Sequence, residues 1–248
     1  MRIGVLGPVA AWAASGADVA PAGLRLRGLL ARLALVPGRT VTAETLVDDL
    51  WGTEPASANA LQALVSRLRR ALGPELVVTV PGGYRLDLPP ADVDCARAAQ
   101  RIAEAEHEAD PETARELVGQ ALALWRGPAL ADVRRLPFAG PAADRLDGAR
   151  AAAVERAAGL DLLLGRAAGS VEPLTALLAD QPLRESAAAA LARALHATGR
   201  QADALAVLDR TRDRLVEELG VDPGPELAGA RLDVLRGVPA PAAPAPRP

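Results

Sequence analysis

The side chains best suited to chemistry lie on one face of a helix predicted over residues 57–72 (SANALQALVSRLRRAL). At about 100° per residue, its apolar residues share one side, and these are Leu61, Leu64, Val65, Leu68 and Leu72. The opposite side carries polar groups that can hydrogen-bond base edges and phosphates, namely Asn59, Gln62, Ser66, Arg67 and Arg70. This pattern is typical of a recognition helix, although a solvated amphipathic helix would share it.

A β-hairpin is predicted directly after this helix. Residues 76–80 (LVVTV) and 84–88 (YRLDL) have strand character and flank the turn sequence Pro-Gly-Gly. A helix followed by a hairpin is the order of a winged helix, in which the helix enters the major groove and the wing lies along the backbone. Alternation places Arg85 on the outer face of the second strand, so we expect it to contact a phosphate or the minor groove.

Two further helices and a strand pair are predicted before the recognition helix. Thr42 begins one helix as T-x-x-T, with Glu44 in its first turn and an apolar stripe that runs to Gly52. Residues 24–36 form another helix, which the following Pro-Gly ends. Glycine and proline interrupt the apolar residues 3–14, which favours strand, turn and strand over a secretion signal.

The rest of the chain is predicted to be helical. Six residues follow the spacing of a tetratricopeptide repeat, and these are Leu191, Ala192, Leu195, Gly199, Ala204 and Leu208. Such arrays present a curved surface for a subunit or partner, and a purely structural role is the alternative. We predict a winged-helix domain over residues 1–90, a helical-repeat domain over 91–237 and a Pro/Ala-rich tail or linker over 238–248.

Charge is distributed unevenly between these predicted domains. The whole chain has a formal net charge of −3, and all of its Lys and Arg residues are Arg. Residues 1–90 carry 9 Arg against 7 acidic residues, a net +2, whereas the remainder carries 19 Arg against 24, a net −5. Because the local field steers a phosphate backbone, the N-terminal domain is the candidate partner of nucleic acid.

Catalytic and cofactor signatures are absent from the sequence. The two histidines, His107 and His196, have no second ligand at metal spacing, and neither a GxxxxGK[ST] loop nor a G-x-S-x-G elbow occurs. We therefore expect no enzyme activity, no metal and no cofactor. The single Cys95 cannot form an internal disulfide, and no apolar run approaches the ~20 residues of a membrane span, so we expect a cytoplasmic protein without membrane contact.

Several strings of the sequence resemble one regulatory family. The N-terminal strings are RIGVLGPV, RGLLARLAL, GRTVTAETLVDDLWG, ALQALVSRLRRALG and PGGYRL, and the later ones include ALALWRGPALADV and RDRLVEELGVDPGPEL. Together they resemble the Streptomyces antibiotic regulatory proteins, whose OmpR-type DNA-binding domain precedes a bacterial transcriptional activator domain. The resemblance implies a mainly α fold with small β-sheets: an N-terminal OmpR-type winged helix-turn-helix followed by an all-α TPR-like helical-repeat domain.

The same resemblance implies a function. A family member binds double-stranded DNA sequence-specifically, forms head-to-tail homodimers on direct repeats and activates a biosynthetic gene cluster by recruiting RNA polymerase. The polymerase-contact loop would be residues 52–56, with Thr53, Glu54 and Pro55. The alternatives are a helical-repeat adaptor whose winged helix contacts only protein, and the N-terminal part of a larger nucleotide-controlled regulator.

Overall fold

The computed structural model describes residues 1–54 and 59–237, which form a mainly α fold with two small β-sheets. The helices in these residues are α1 Leu24–Ala34, α2 Ala43–Trp51, α3 Ala60–Leu72, α4 Asp94–His107, α5 Pro111–Leu122, α6 Ala139–Leu163, α7 Val171–Asp180, α8 Glu185–Ala197, α9 Gln201–Arg214 and α10 Pro225–Arg236. The strands are β1 Arg2–Gly4, β2 Ala10–Trp12, β3 Thr40–Thr42, β4 Val77–Val80 and β5 Gly83–Leu86. This confirms the predicted fold class. The predicted tail, residues 238–248, lies outside the described residues.

The two sheets confirm the predicted strand pairs and add one strand. β1 pairs antiparallel with β2, and β4 with β5. Strand β3, which the sequence did not predict, pairs with the other side of β5 and gives the order β3-β5-β4. Strands β3 and β5 lie very close together at Gly83, because a Cβ on this residue would lie 2.1 Å from the carbonyl oxygen of Val41. Only glycine fits at this start of the second hairpin strand.

Helix α2 begins as its sequence predicts. The Thr42 hydroxyl accepts a hydrogen bond from the backbone N–H of Thr45 at 3.1 Å, and Glu44 lies in the first turn. This cap satisfies one of the backbone donors that a helix start leaves unpaired. The helix ends at Trp51, and the C-cap residue Gly52 has a φ of 57°, which suits glycine. Helix α1 ends at Ala34, two residues before the predicted end at Val36.

The contacts divide the described residues into two compact units, and the domain boundary after residue 90 stays a prediction. Among the described residues, the N-terminal unit comprises 1–54, 59–101 and 120–150, and the C-terminal unit comprises 102–119 and 151–237. Residues 126–143 belong to the N-terminal unit because they contribute to its hydrophobic core. Leu130 and Val133 are fully buried there, and Leu136 is 5% exposed.

Backbone and side-chain hydrogen bonds hold this later segment against the start of the chain. The N–H of Arg126 donates to the carbonyl of Leu6 at 2.7 Å, and that of Leu130 donates to Val5 at 3.0 Å. The Asp132 carboxylate accepts the N–H of Val9 at 2.8 Å and the Arg27 guanidinium at 2.6 Å. Residues more than 100 positions apart in sequence therefore share one structural unit.

Asp94 makes a second buried junction at the start of α4. Its side chain accepts the backbone N–H groups of Val5 and Leu6 at 2.8 to 3.0 Å, and the Arg126 guanidinium lies 3.4 Å away. Burial raises the pKa of this carboxyl above its usual value, while those hydrogen bonds and Arg126 act in the opposite direction. The carboxylate satisfies two backbone donors that would otherwise be buried without partners.

Cys95, the next residue, gives a prediction about chemical labelling. Burial, with a smaller contribution from the neighbouring Asp94, raises the pKa of this thiol to about 12. We therefore expect the native protein to react with a thiol reagent at pH 8 far more slowly than the unfolded chain, because the thiolate is the nucleophile. If the native protein is labelled completely and as fast as the unfolded chain, the raised pKa of this half-buried thiol is wrong.

The same raised pKa predicts the sign of a pH effect on stability. The unfolded thiol loses its proton near its ordinary pKa of 9.0, whereas the folded thiol retains it to about 12. The contribution of Cys95 to the free energy of unfolding is therefore fully present below pH 9 and decreases as the pH rises above it. Comparing urea unfolding of wild type and Cys95→Ser between pH 8 and pH 10 measures this difference.

The C-terminal unit contains the predicted repeat pair. Helices α8 and α9 are joined by a turn in which Gly199 has a φ of 79°, and the core between them contains Leu191, Ala192, Leu195, Ala204 and Leu208. The tetratricopeptide-like spacing is thus confirmed for this pair.

Asp161 connects other elements of the C-terminal unit, since its carboxylate accepts hydrogen bonds from Arg115 at 2.8 Å and from the Ser170 hydroxyl at 2.9 Å. In the described residues, no helix has the length and hydropathy needed to span a membrane.

Candidate nucleic-acid interface

Helix α3 separates its residues onto two faces as predicted. Leu61, Leu64, Val65, Leu68 and Leu72 are all buried, and Leu68 is fully so. Their burial fixes which face of the helix is turned to solvent. The helix begins at Ala60, with Asn59 as its N-cap residue, while Ser57 and Ala58 of the predicted helix lie outside the described residues.

The predicted reading face is exposed along its whole length. Asn59, Gln62, Ser66, Arg67 and Arg70 are each exposed to solvent. Among the described residues, Arg67 and Arg70 make no ion pair, so both guanidinium groups have all their donors available. An arginine can donate in a bidentate manner to the O6 and N7 of guanine or to a phosphate. The structure therefore presents these five side chains together on one surface, and their contact with DNA stays a prediction.

Arg85 lies on the wing but is less accessible than predicted. It occupies the middle strand β5, opposite Thr40 on one side and Val78 on the other. Its side chain is half-buried, and its Nη2 lies 3.3 Å from a carboxylate oxygen of Asp87. Its Nε is buried and has no hydrogen-bond partner in the described part of the chain. A contact between Arg85 and phosphate would thus compete with this exposed ion pair.

Arg69 has a role that the sequence analysis missed. Its Nε donates to the backbone carbonyl of Val77 at 2.8 Å, and its Nη2 donates to the hydroxyl of Thr79 at 2.7 Å. It therefore connects the C-terminal part of α3 to strand β4. The signal in the sequence was its angle on the helix, since Arg69 falls at the border between the apolar and polar faces.

The predicted polymerase-contact loop is described only at its start. Thr53 and Glu54 are exposed, whereas Pro55 lies outside the described residues. Glu54 forms an ion pair with Arg25, whose guanidinium carbon lies 5.6 Å from the centre of the Trp51 ring. Arg25, at the start of α1, thus contacts both the end of α2 and the loop that follows it. Arg25 could not be predicted from the sequence, because no local pattern indicates this pairing.

In residues 1–54 and 59–237, no group of three or more His, Cys, Asp or Glu side chains could hold a metal ion. The exposed arginines of α3 suit binding to an extended polyanion. The N-terminal unit presents a helix with exposed hydrogen-bond donors, followed by a hairpin.

Two family models match the sequence in the order that the fold suggests. Residues 24–86 match the family "Transcriptional regulatory protein, C terminal", and residues 91–235 match the "Bacterial transcriptional activator domain". The first match covers α1 to β5, and the second begins at the junction that leads into α4.

Named relatives match over nearly the whole chain. The regulatory protein DnrI of Streptomyces peucetius is 37% identical over 96% of this chain and 93% of its own length. The regulatory proteins AfsR of Streptomyces griseus and Streptomyces coelicolor are 42% and 43% identical, but the chain spans only 24% and 25% of their lengths. The structure "Mycobacterium tuberculosis EmbR in complex with low affinity phosphopeptide" has a TM-score of 0.88 at 31% identity, covering 96% of this chain and 65% of that one.

The winged helix, the helical domain that follows it and both family matches define a transcriptional regulator. The chain belongs to the Streptomyces antibiotic regulatory protein family, as its sequence strings predicted.

Proposed function

We propose that this chain binds double-stranded DNA sequence-specifically and activates transcription of a biosynthetic gene cluster. The exposed face of α3 supports the proposal best, because Arg67 and Arg70 have no ion pair in the described residues and point away from the leucine core. Their charge is therefore available for counterion release at a phosphate backbone and for base contacts. The function needs no catalysis and no cofactor, and cytoplasmic DNA is its partner.

A footprint on the promoters nearest the gene tests this proposal. Protection of a defined sequence, at protein concentrations that leave bulk DNA unprotected, supports specific binding. If the protein protects no sequence at any salt concentration, the DNA-binding proposal is wrong and the adaptor hypothesis replaces it. We expect protection of direct repeats, and we propose that a head-to-tail homodimer occupies them.

Repeat spacing tests the homodimer separately. Two modules on one face of the duplex require half-sites about one helical turn apart, ~10 to 11 base pairs. Affinity for paired sites should exceed that for one site at this spacing and decrease at a half-turn offset, because linked modules raise each other's effective concentration. Equal affinity at every spacing would contradict the paired arrangement while leaving DNA binding intact.

We also propose that the loop at Thr53 and Glu54 contacts RNA polymerase. Replacing both residues by alanine should leave the footprint unchanged and lower promoter output several-fold in a purified transcription system. The matched control is Arg25→Gln, which removes the partner of Glu54 but keeps the side chains of the loop.

Comparing these two variants shows whether the loop side chains contact polymerase themselves or whether the ion pair between Arg25 and Glu54 is needed to place the loop. If only the loop variant loses activation, the loop side chains themselves make the contact. If Arg25→Gln loses as much, the ion pair is needed to place the loop. Loss of DNA binding in step with activation would contradict the proposed polymerase contact.

A further inference from the structure

Arg69 differs from Arg67 and Arg70 in its exposure and in its hydrogen bonds. Arg67 and Arg70 are exposed, whereas Arg69 is half-buried and already committed to two acceptors on β4. Both hydrogen bonds have ordinary lengths, 2.8 and 2.7 Å. The Arg69 guanidinium is therefore hydrogen-bonded to protein groups in the absence of nucleic acid.

Strand β4 needs such a partner because it lies at the edge of its sheet. Within the part of the chain that the structure describes, the strand order β3-β5-β4 leaves one side of β4 without a neighbouring strand. The backbone carbonyl of Val77 and the hydroxyl of Thr79 are both within reach of the one Arg69 guanidinium. Arg69 occupies this edge and bonds to one backbone carbonyl and one hydroxyl. The N–H donors of a guanidinium have a fixed planar geometry, so two bonds to one strand fix its distance and angle.

We propose that Arg69 is a positioning residue that holds the wing at a set distance from the recognition helix. With the wing held, Arg85 and the pair Arg67 and Arg70 can reach the same DNA duplex together. Without it, the helix still presents its donors, but the hairpin no longer has a fixed place beside them. This inference rests on the proposed DNA-binding function and adds a determinant of how the two parts of the interface cooperate.

A double-mutant cycle on the full chain tests the coupling. Arg85→Ala and Arg69→Ala should each weaken binding to operator DNA about tenfold. Because both remove the same wing contact, the combined variant should be no more than about twofold weaker than either single variant. If the two losses multiply to about a hundredfold, Arg69 acts independently of the wing and the proposal is wrong.

Two further variants keep the test informative if Arg69→Ala does not fold. Arg69→Lys retains the charge but not the planar pair of donors, so it should not restore the affinity that Arg85 supplies. Full activity of Arg69→Lys would indicate a simple phosphate contact and would overturn the proposal. Thr79→Val keeps every charge and removes one acceptor, and we expect a loss of about two- to threefold that disappears in an Arg85→Ala background.

Amide hydrogen exchange without DNA distinguishes this inference from the proposed function. In Arg69→Lys, the hairpin amides of β4 and β5 should exchange several-fold faster, while amides in the leucine-packed part of α3 keep their rates. If wild type binds no DNA but the hairpin responds in this way, the proposed function fails and the structural tie stands. Unchanged hairpin exchange would show that Arg69 does not hold the wing.

Discussion

Replacing Arg67 and Arg70 together by alanine should weaken operator binding by about 2 to 5 kcal/mol, roughly 30-fold to several thousandfold. Each side chain is exposed and makes no ion pair in the described residues, so each can supply a full charge-assisted contact to DNA. The slope of log affinity against log salt should decrease by about one for each phosphate group that the variant no longer neutralises. Titrations of operator DNA at several salt concentrations measure both quantities.

We expect this double substitution to leave the free energy of unfolding almost unchanged. Substitutions at exposed positions away from caps and cores usually shift the free energy of unfolding by no more than ~0.5 kcal/mol. Equal unfolding curves for wild type and variant would therefore show that the lower affinity comes from lost contacts with DNA and not from unfolding. A variant that binds operator as tightly as wild type would show that α3 is a solvated amphipathic helix and not a reader of DNA.

The C-terminal unit offers a matched control for this pair. Arg210 and Arg214 lie on α9, are exposed, and like Arg67 and Arg70 make no ion pair in the described residues. Replacing both by alanine removes the same total charge from another helix surface. We expect less than a twofold change in affinity from this control. A loss as large as that of the α3 variant would mean that net charge alone governs binding.

Local patterns were enough to predict the interface helix and the hairpin. The leucine spacing of α3 and the Pro-Gly-Gly turn act over a few residues, and burial and pairing agree with both. Strand β3 could not be predicted in this way. Its three residues, Thr-Val-Thr, form a strand only because β5 pairs with them.

Long-range contacts account for the features that the sequence did not predict. The hydrogen bonds that Asp132 accepts from Val9 and Arg27 join residues separated by 123 and 105 positions. The bond from Arg69 to Thr79 spans only ten positions, but it depends on how the hairpin folds back beside α3. Side-chain periodicity carries no information about such pairings.

This long-range packing predicts that a fragment ending at residue 90 will not fold as an independent domain. The fragment lacks Leu130, Val133 and Leu136, which belong to the core of the N-terminal unit. Removing one large buried side chain costs about 2 to 5 kcal/mol. Losing all three would consume a free energy comparable to the roughly 5 to 15 kcal/mol by which domains are stable. The fragment also lacks Asp94 and so leaves the N–H groups of Val5 and Leu6 without their acceptor.

Thermal and urea unfolding of the fragment, followed by circular dichroism, test this expectation. We expect a broad transition without a folded baseline, and weak DNA binding that follows from the loss of structure. In the full chain, Leu136→Ala should lower the free energy of unfolding by about 2 to 4 kcal/mol, because Leu136 packs against Gly28 of α1. Leu232→Ala is the matched control, since that leucine is 48% exposed and should change stability by less than ~0.5 kcal/mol. A fragment of residues 1–90 that unfolds cooperatively and binds a half-site as tightly as the full chain would show that residues 120–150 are dispensable for the winged helix.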